Sequence, residues 1–105
     1  MAATTLVEPV TERETRLAPQ WNVVLLDDDD HTYAYVIEML GALFGHRRER
    51  AFELAQEVDR SGCAIVWTGP RETAEFKQER IHGYGADPRL ERCHGSMSAT
   101  LEPCT

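Results

Sequence analysis

Trp21-Asn22-Val23-Val24-Leu25-Leu26 runs directly into Asp27-Asp28-Asp29-Asp30. A β-branched, apolar run of that length is too short for a helix and reads as a strand over 21–26, which the four mutually repelling carboxylates stop. Immediately beyond, Thr32 stands where a helix N-cap belongs, and Tyr33, Val36, Ile37, Leu40 and Phe44 repeat at i, i+3, i+4, i+7 and i+11. The spacing predicts an amphipathic helix that Gly45 ends. Strand, acidic turn and helix thus follow one another with almost no linker, which forces the acids to the edge of whatever core the strand and helix share.

The remaining pattern continues this alternation. A second helix places Ala51, Leu54, Ala55 and Val58 on one face and Arg47, Arg48, Glu49, Gln56 and Glu57 in water, ending at Ser61-Gly62. Cys63 to Thr68 reads as a second strand, closed by Gly69-Pro70, with Pro70 in the first turn of a third helix that runs roughly to Tyr84. Gly83, Gly85 and Asp87-Pro88 mark a loop, and residues 96–101 alternate polar and apolar as a last strand. The order β-α-α-β-α-β predicts an α+β fold, a three-stranded antiparallel sheet covered on one face by three helices. Residues 1–20 carry no sustained period and are expected to be a flexible extension before a single domain over 21–105.

Composition narrows the function. With 11 Lys+Arg against 18 Asp+Glu in 105 residues, the formal charge of −7 repels phosphate backbones and anionic membranes, so neither nucleic acid nor a membrane is an expected partner. No stretch approaches the roughly 18 apolar residues of a membrane span, and no leader pattern opens the chain. A cytoplasmic protein is expected, with Cys63, Cys93 and Cys104 reduced, since three cysteines without CxxC spacing make no disulfide framework. So small a chain has little room for an enclosed active site, and no Gly-rich phosphate loop or Ser/His/Asp set is present. A binding protein without a cofactor is the expectation, not an enzyme.

The acidic run admits three readings. It is a solvated turn with an Asx-type cap, a site for a hard divalent cation, or a site for an organic ammonium beside an apolar cavity. The cation reading lacks the alternate spacing and turn glycine of an EF-hand loop; as a metal-dependent hydrolase it would need Asp28 for divalent-ion affinity. His82, Cys93, His94 and Cys104 are zinc-ligand types at irregular spacing. His46 reads as a surface residue, and Trp67 and Tyr84 as core.

Trp21 through Asp29, Val36-Ile37-Glu38-Met39-Leu40, Gly62-Cys63-Ala64-Ile65 and Thr100-Leu101-Glu102 resemble ClpS, the adaptor that selects N-degron substrates for a Clp ATPase–protease. The resemblance covers about residues 21–103 and implies an apolar pocket for a substrate's first side chain, with polar groups holding its α-ammonium. Carried over by position, the amine-binding set is Asp27, Asp28 and Asp59, and the side-chain pocket is His31, Thr32, Tyr33, Val36, Ala55, Val58 and Met97, the last on the final strand. Asp27 and Asp59 stand where the family has Asn and His, His31-Thr32 replace Thr-Pro, and Tyr33 replaces a Met gate. Three carboxylates around one ammonium strengthen attraction and raise the like-charge cost when the site is empty. The resemblance further implies Glu72 and Lys77 as contacts to a ClpA- or ClpC-like ATPase, an N-terminal segment that threads toward the ATPase pore, and a monomer. The lost Asn, Thr-Pro and His leave a second possibility, a ClpS-like module that modulates the ATPase without reading N-termini.

Overall fold

The computed structural model describes residues 19–28, 31–89 and 95–104. Its elements are β1 (Gln20–Leu26), α1 (Tyr33–Phe44), α2 (Arg48–Ser61), β2 (Cys63–Pro70), α3 (Arg71–His82) and β3 (Ala99–Cys104), the expected β-α-α-β-α-β order. β1 is the centre of an antiparallel sheet of order β2-β1-β3, pairing Leu25 with both Ala64 and Ala99.

One face of that sheet and three helical stripes make the core. Val23 and Leu25 of β1, Ala64 and Val66 of β2 and Ala99 of β3 pack against Met39, Leu40 and Leu43 of α1, Leu54 and Val58 of α2 and Ala74 and Ile81 of α3, all buried. The period of two on the strands and of 3.6 on the helices presents these residues to one another. On the other face Ile65 is 46% exposed at the edge strand, while Val24 beside it on the central strand is buried.

Helix ends follow the local chemistry. Thr32 caps α1, its side-chain oxygen accepting from the Tyr35 amide, and Gly45 (φ 71°) and Gly62 (φ 87°) close α1 and α2 in the left-handed region that glycine adopts without strain. Lys77 of α3 donates to the Leu43 carbonyl at 2.8 Å, satisfying an orphan acceptor at the end of α1.

Several boundaries differ from the sequence expectation. β1 begins at Gln20, inside the expected extension, because Gln20 pairs with Pro70 and Cys104 on both sides; residues 1–18 lie outside the described residues. Pro70 is the N-cap of α3 and the last residue of β2, one position before the first turn. α3 stops at His82, and Tyr84, expected in the core, is 37% exposed with its ring edge-on to Tyr35. β3 is displaced to Ala99–Cys104, so Met97 lies in the loop before the strand, not on it. His46 is half-buried, its Nε2 at 2.7 Å from the Val66 carbonyl, where a register shift bulges β2 between the partners of Val23 and Val24. Trp67, expected in the core, is partly buried and packs against it.

Candidate functional site

The N-terminal end of α1, the last turns of α2 and the loop before β3 converge on a cavity of about 170 Å³. Val36, Ala55, Val58 and Met97 wall it and are all buried, while Asp27, Asp28, His31, Tyr33 and Asp59 complete the lining. The helical repeat accounts for the placement: Tyr33 and Val36 are three apart on α1, and Ala55, Val58 and Asp59 stand at i, i+3 and i+4 on α2. The two helices thus supply Val36, Ala55 and Val58 to the wall and Asp59 to the rim, while the turn after β1 adds Asp27 and Asp28 and the loop before β3 adds Met97.

Of the residues the sequence assigns to the pocket, Thr32 alone does not line it. Its N–H and its hydroxyl both donate to Asp87 Oδ2 at 2.8 Å, which turns it away as a structural clamp. Asp29 and Asp30 lie outside the described residues.

The rim acids are individually engaged. Asp28 Oδ1 lies 2.5 Å from His31 Nδ1, and His31 Nε2 lies 2.8 Å from the Gly95 carbonyl oxygen. Asp59 Oδ2 accepts the Tyr33 hydroxyl at 2.9 Å, and this bond, with lesser contributions from burial and the Asp59 charge, raises the Tyr33 phenol above its ordinary pKa. The Asp27 amide donates to the Gly62 carbonyl at 2.9 Å, tying the acidic turn to the end of α2. The carboxylates that the sequence places in mutual repulsion are thus held apart by different partners, Asp28 by His31 and Asp59 by the Tyr33 hydroxyl.

Asp87 is the residue that sequence reasoning missed. It is 1% exposed, takes two bonds from Thr32, and on Oδ1 accepts from the Arg89 amide at 3.0 Å and the Arg89 guanidinium at 3.3 Å. Burial alone would push its carboxyl up; the Thr32 and Arg89 donors outweigh that and hold it at about 2. Arg89 continues to Glu38 of α1 at 2.6 Å. The i to i+2 bond from Asp87 to Arg89 is an Asx turn, and the Asp87-Pro88 pair was its signal in the sequence. Asp87 thereby fixes the start of α1, and with it Tyr33 and Val36, to the loop that follows α3.

The remaining candidates separate. Glu72 is exposed in the first turn of α3, whereas Lys77 is half-buried with its ammonium on Leu43 O and 5.3 Å from the Phe44 ring centre, so only Glu72 presents its charge outward. Cys63 and Cys104 are free and exposed at opposite ends of the sheet, facing Leu26 and Gln20. His82 Nε2 accepts from the Ala99 amide at 3.1 Å, and Cys93 and His94 lie outside the described residues. Among the described residues no three His, Cys, Asp or Glu side chains cluster as metal ligands, and no helix is long and apolar enough to cross a membrane.

The family profile described as "ATP-dependent Clp protease adaptor protein ClpS" matches residues 16–89. An ATP-dependent Clp protease adapter protein ClpS of Synechocystis sp. is 34% identical over 85 residues, covering 80% of this chain and 87% of its own length. Its counterpart in Nautilia profundicola is 37% identical over 82 residues, covering 78% and 82%. Among solved structures, Agrobacterium tumefaciens ClpS2 bound to L-phenylalaninamide matches the fold with a TM-score of 0.70 at 24% identity, over 82% of this chain and 98% of that one. A profile matched over most of the length, relatives above 30% identity and a common fold together make this chain a member of the ClpS family, adaptors of ATP-dependent Clp proteases and not enzymes themselves.

Proposed function

We propose that the cavity reads the first residue of other polypeptides and that the protein delivers them to a Clp AAA+ protease. The observation that carries this reading is the juxtaposition of an apolar wall of Val36, Ala55, Val58 and Met97 with a rim of Asp27, Asp28 and Asp59 around about 170 Å³. A cavity of about 150 Å³ with apolar walls accommodates benzene, so the space suits one aromatic side chain. Ring burial supplies about 1.5–3 kcal/mol and charge-assisted bonds to an α-ammonium about as much again, together about 3–6 kcal/mol, which corresponds to binding in the millimolar to tens-of-micromolar range. An acetylated N-terminus keeps the ring and loses the ammonium charge. In the Agrobacterium relative the bound molecule is L-phenylalaninamide, which has both a ring and a free amine.

The small Ala55 side chain, which deepens the cavity, and the Tyr33 gate, which narrows its entrance, favour bulky aromatic first residues over β-branched ones. Delivery follows from family membership, with Glu72 of α3 on the side presented to a ClpA- or ClpC-like ATPase, the N-terminal segment threading toward its pore, and the adaptor acting as a cytoplasmic monomer.

A second reading has one observation in its favour. Asp28 and Asp59 are already bonded to His31 and Tyr33, as in a module that modulates the ATPase and no longer reads N-termini. Titration with a Phe-initiated peptide, its acetylated form and an Ile-initiated form separates the two. An N-terminus reader binds the first at least tenfold more tightly than the others; equal or absent binding of all three leaves only the modulator.

A further inference from the structure

We propose that His31 is a positioning residue for the amine-reading carboxylate, its ring holding Asp28 in place while bracing on Gly95 across the mouth of the cavity. The inference rests on the N-terminus-reading function and adds a residue to it.

His31 has a side chain only 3% exposed beside an Asp28 that is 35% exposed. Both ring nitrogens face acceptors: Nδ1 the Asp28 carboxylate at 2.5 Å and Nε2 the Gly95 carbonyl at 2.8 Å. A neutral imidazole donates from one nitrogen only. One ring thus bridges the rim carboxylate and the Gly95 carbonyl, which fixes its plane from both nitrogens. An arriving ammonium meets an Asp28 carboxylate already oriented by the ring and flanked by Asp27 and Asp59.

The ring is fixed from a third side. Its centroid lies 4.5 Å from that of Tyr35, which is itself buried and bonded through its hydroxyl to the Gly85 carbonyl. Gly95 sits 64 positions away in sequence, two before the wall residue Met97, so the brace ties the His31 side of the cavity to the loop that carries Met97. Held on three sides, His31 leaves Asp28 one side-chain orientation at the rim, and the ordering is complete before ligand arrives.

The test compares a Phe-initiated peptide with the same peptide carrying a 3-phenylpropanoyl group in place of Phe, which keeps the ring and lacks the ammonium. Wild type, His31→Ala, His31→Asn, Asp28→Asn and the double variant His31→Ala/Asp28→Asn are titrated by calorimetry, with far-UV circular dichroism of each. The expected results are a loss of about tenfold for His31→Ala on the Phe-initiated peptide and less than twofold on the amine-free one. His31→Asn, whose amide sits near the Nδ1 position, recovers most of the loss, and the double variant binds no worse than Asp28→Asn alone. An equal loss on both peptides, additive losses in the double variant, or no recovery in His31→Asn overturns the positioning role; His31→Asn against Asp28→Asn decides the matter if the alanine variant fails to fold. A wild-type protein that does not distinguish the two peptides overturns the N-terminus reading itself, and the positioning role with it.

Discussion

The Tyr33 hydroxyl donates to Asp59 Oδ2 at 2.9 Å and so joins the first turn of α1 to the last turns of α2 over the mouth of the cavity. Both side chains are exposed, so the bond adds little to stability and acts on where the carboxylate lies. Because the Asp59 bond is the main cause of the raised Tyr33 pKa, Asp59→Ala is expected to bring the phenol back down toward its ordinary value. Ring resonances of Tyr33 followed by NMR through alkaline pH report this, and an unchanged midpoint would mean that the two groups do not meet in solution.

Asp87 links stability to acid. Its folded pKa of about 2 lies below the ordinary 3.8, so its contribution is complete above pH 4 and is lost as pH falls through 3.8 toward 2. The difference corresponds to about 2 kcal/mol. Asp87→Asn is expected to be less stable than wild type by about that amount at pH 7 and to show a flatter stability profile between pH 4 and 2. Guanidinium denaturation across that range measures both, and parallel profiles for the two proteins would remove Asp87 from the account.

Ala55 decides how much room the cavity offers. It is 3% exposed and lines the wall, so Ala55→Leu fills the space with three additional carbons. The fold is expected to tolerate them, because they enter an existing void where a well-packed core would be strained. Affinity for a Phe-initiated peptide should fall at least tenfold by fluorescence anisotropy, and undiminished binding would move the side-chain site elsewhere.

Gly69 is required by Trp67. A Cβ at position 69 would come within 2.2 Å of the Trp67 ring, although the Gly69 backbone itself is not in the left-handed region. Gly69→Ala is expected to displace the indole and cost about 1–3 kcal/mol. Thermal melting and tryptophan emission together test it; a variant with native melting and an unshifted spectrum would show that the ring lies elsewhere.

Much of this was legible from local pattern. The apolar run before the aspartates marked β1 to within one residue, Thr32, Gly45 and Gly62 marked helix ends, and the helical spacing put Ala51, Leu54, Ala55 and Val58 on one face. Alternation over 96–101 misled, since Met97 is buried by the cavity wall and not by the sheet, so its apolar character carried no strand information. Lys77 read as an outward charge because nothing nearby in sequence reveals that Leu43 O, 34 residues earlier, needs a donor. Thr32 read as a pocket residue for the same reason, its partner Asp87 lying 55 positions on.

The order of elements, the face each one buries and the gathering of acid at the end of β1 were determined by the sequence alone, because period, cap and charge act between residues a few positions apart. Which partners the side chains around the site meet was decided only by the tertiary structure: His31 with the Gly95 carbonyl, Thr32 with Asp87 and Tyr33 with Asp59 close over 64, 55 and 26 residues. Such pairings depend on packing distances that no local pattern encodes, and they turn a run of repelling carboxylates into an ordered rim.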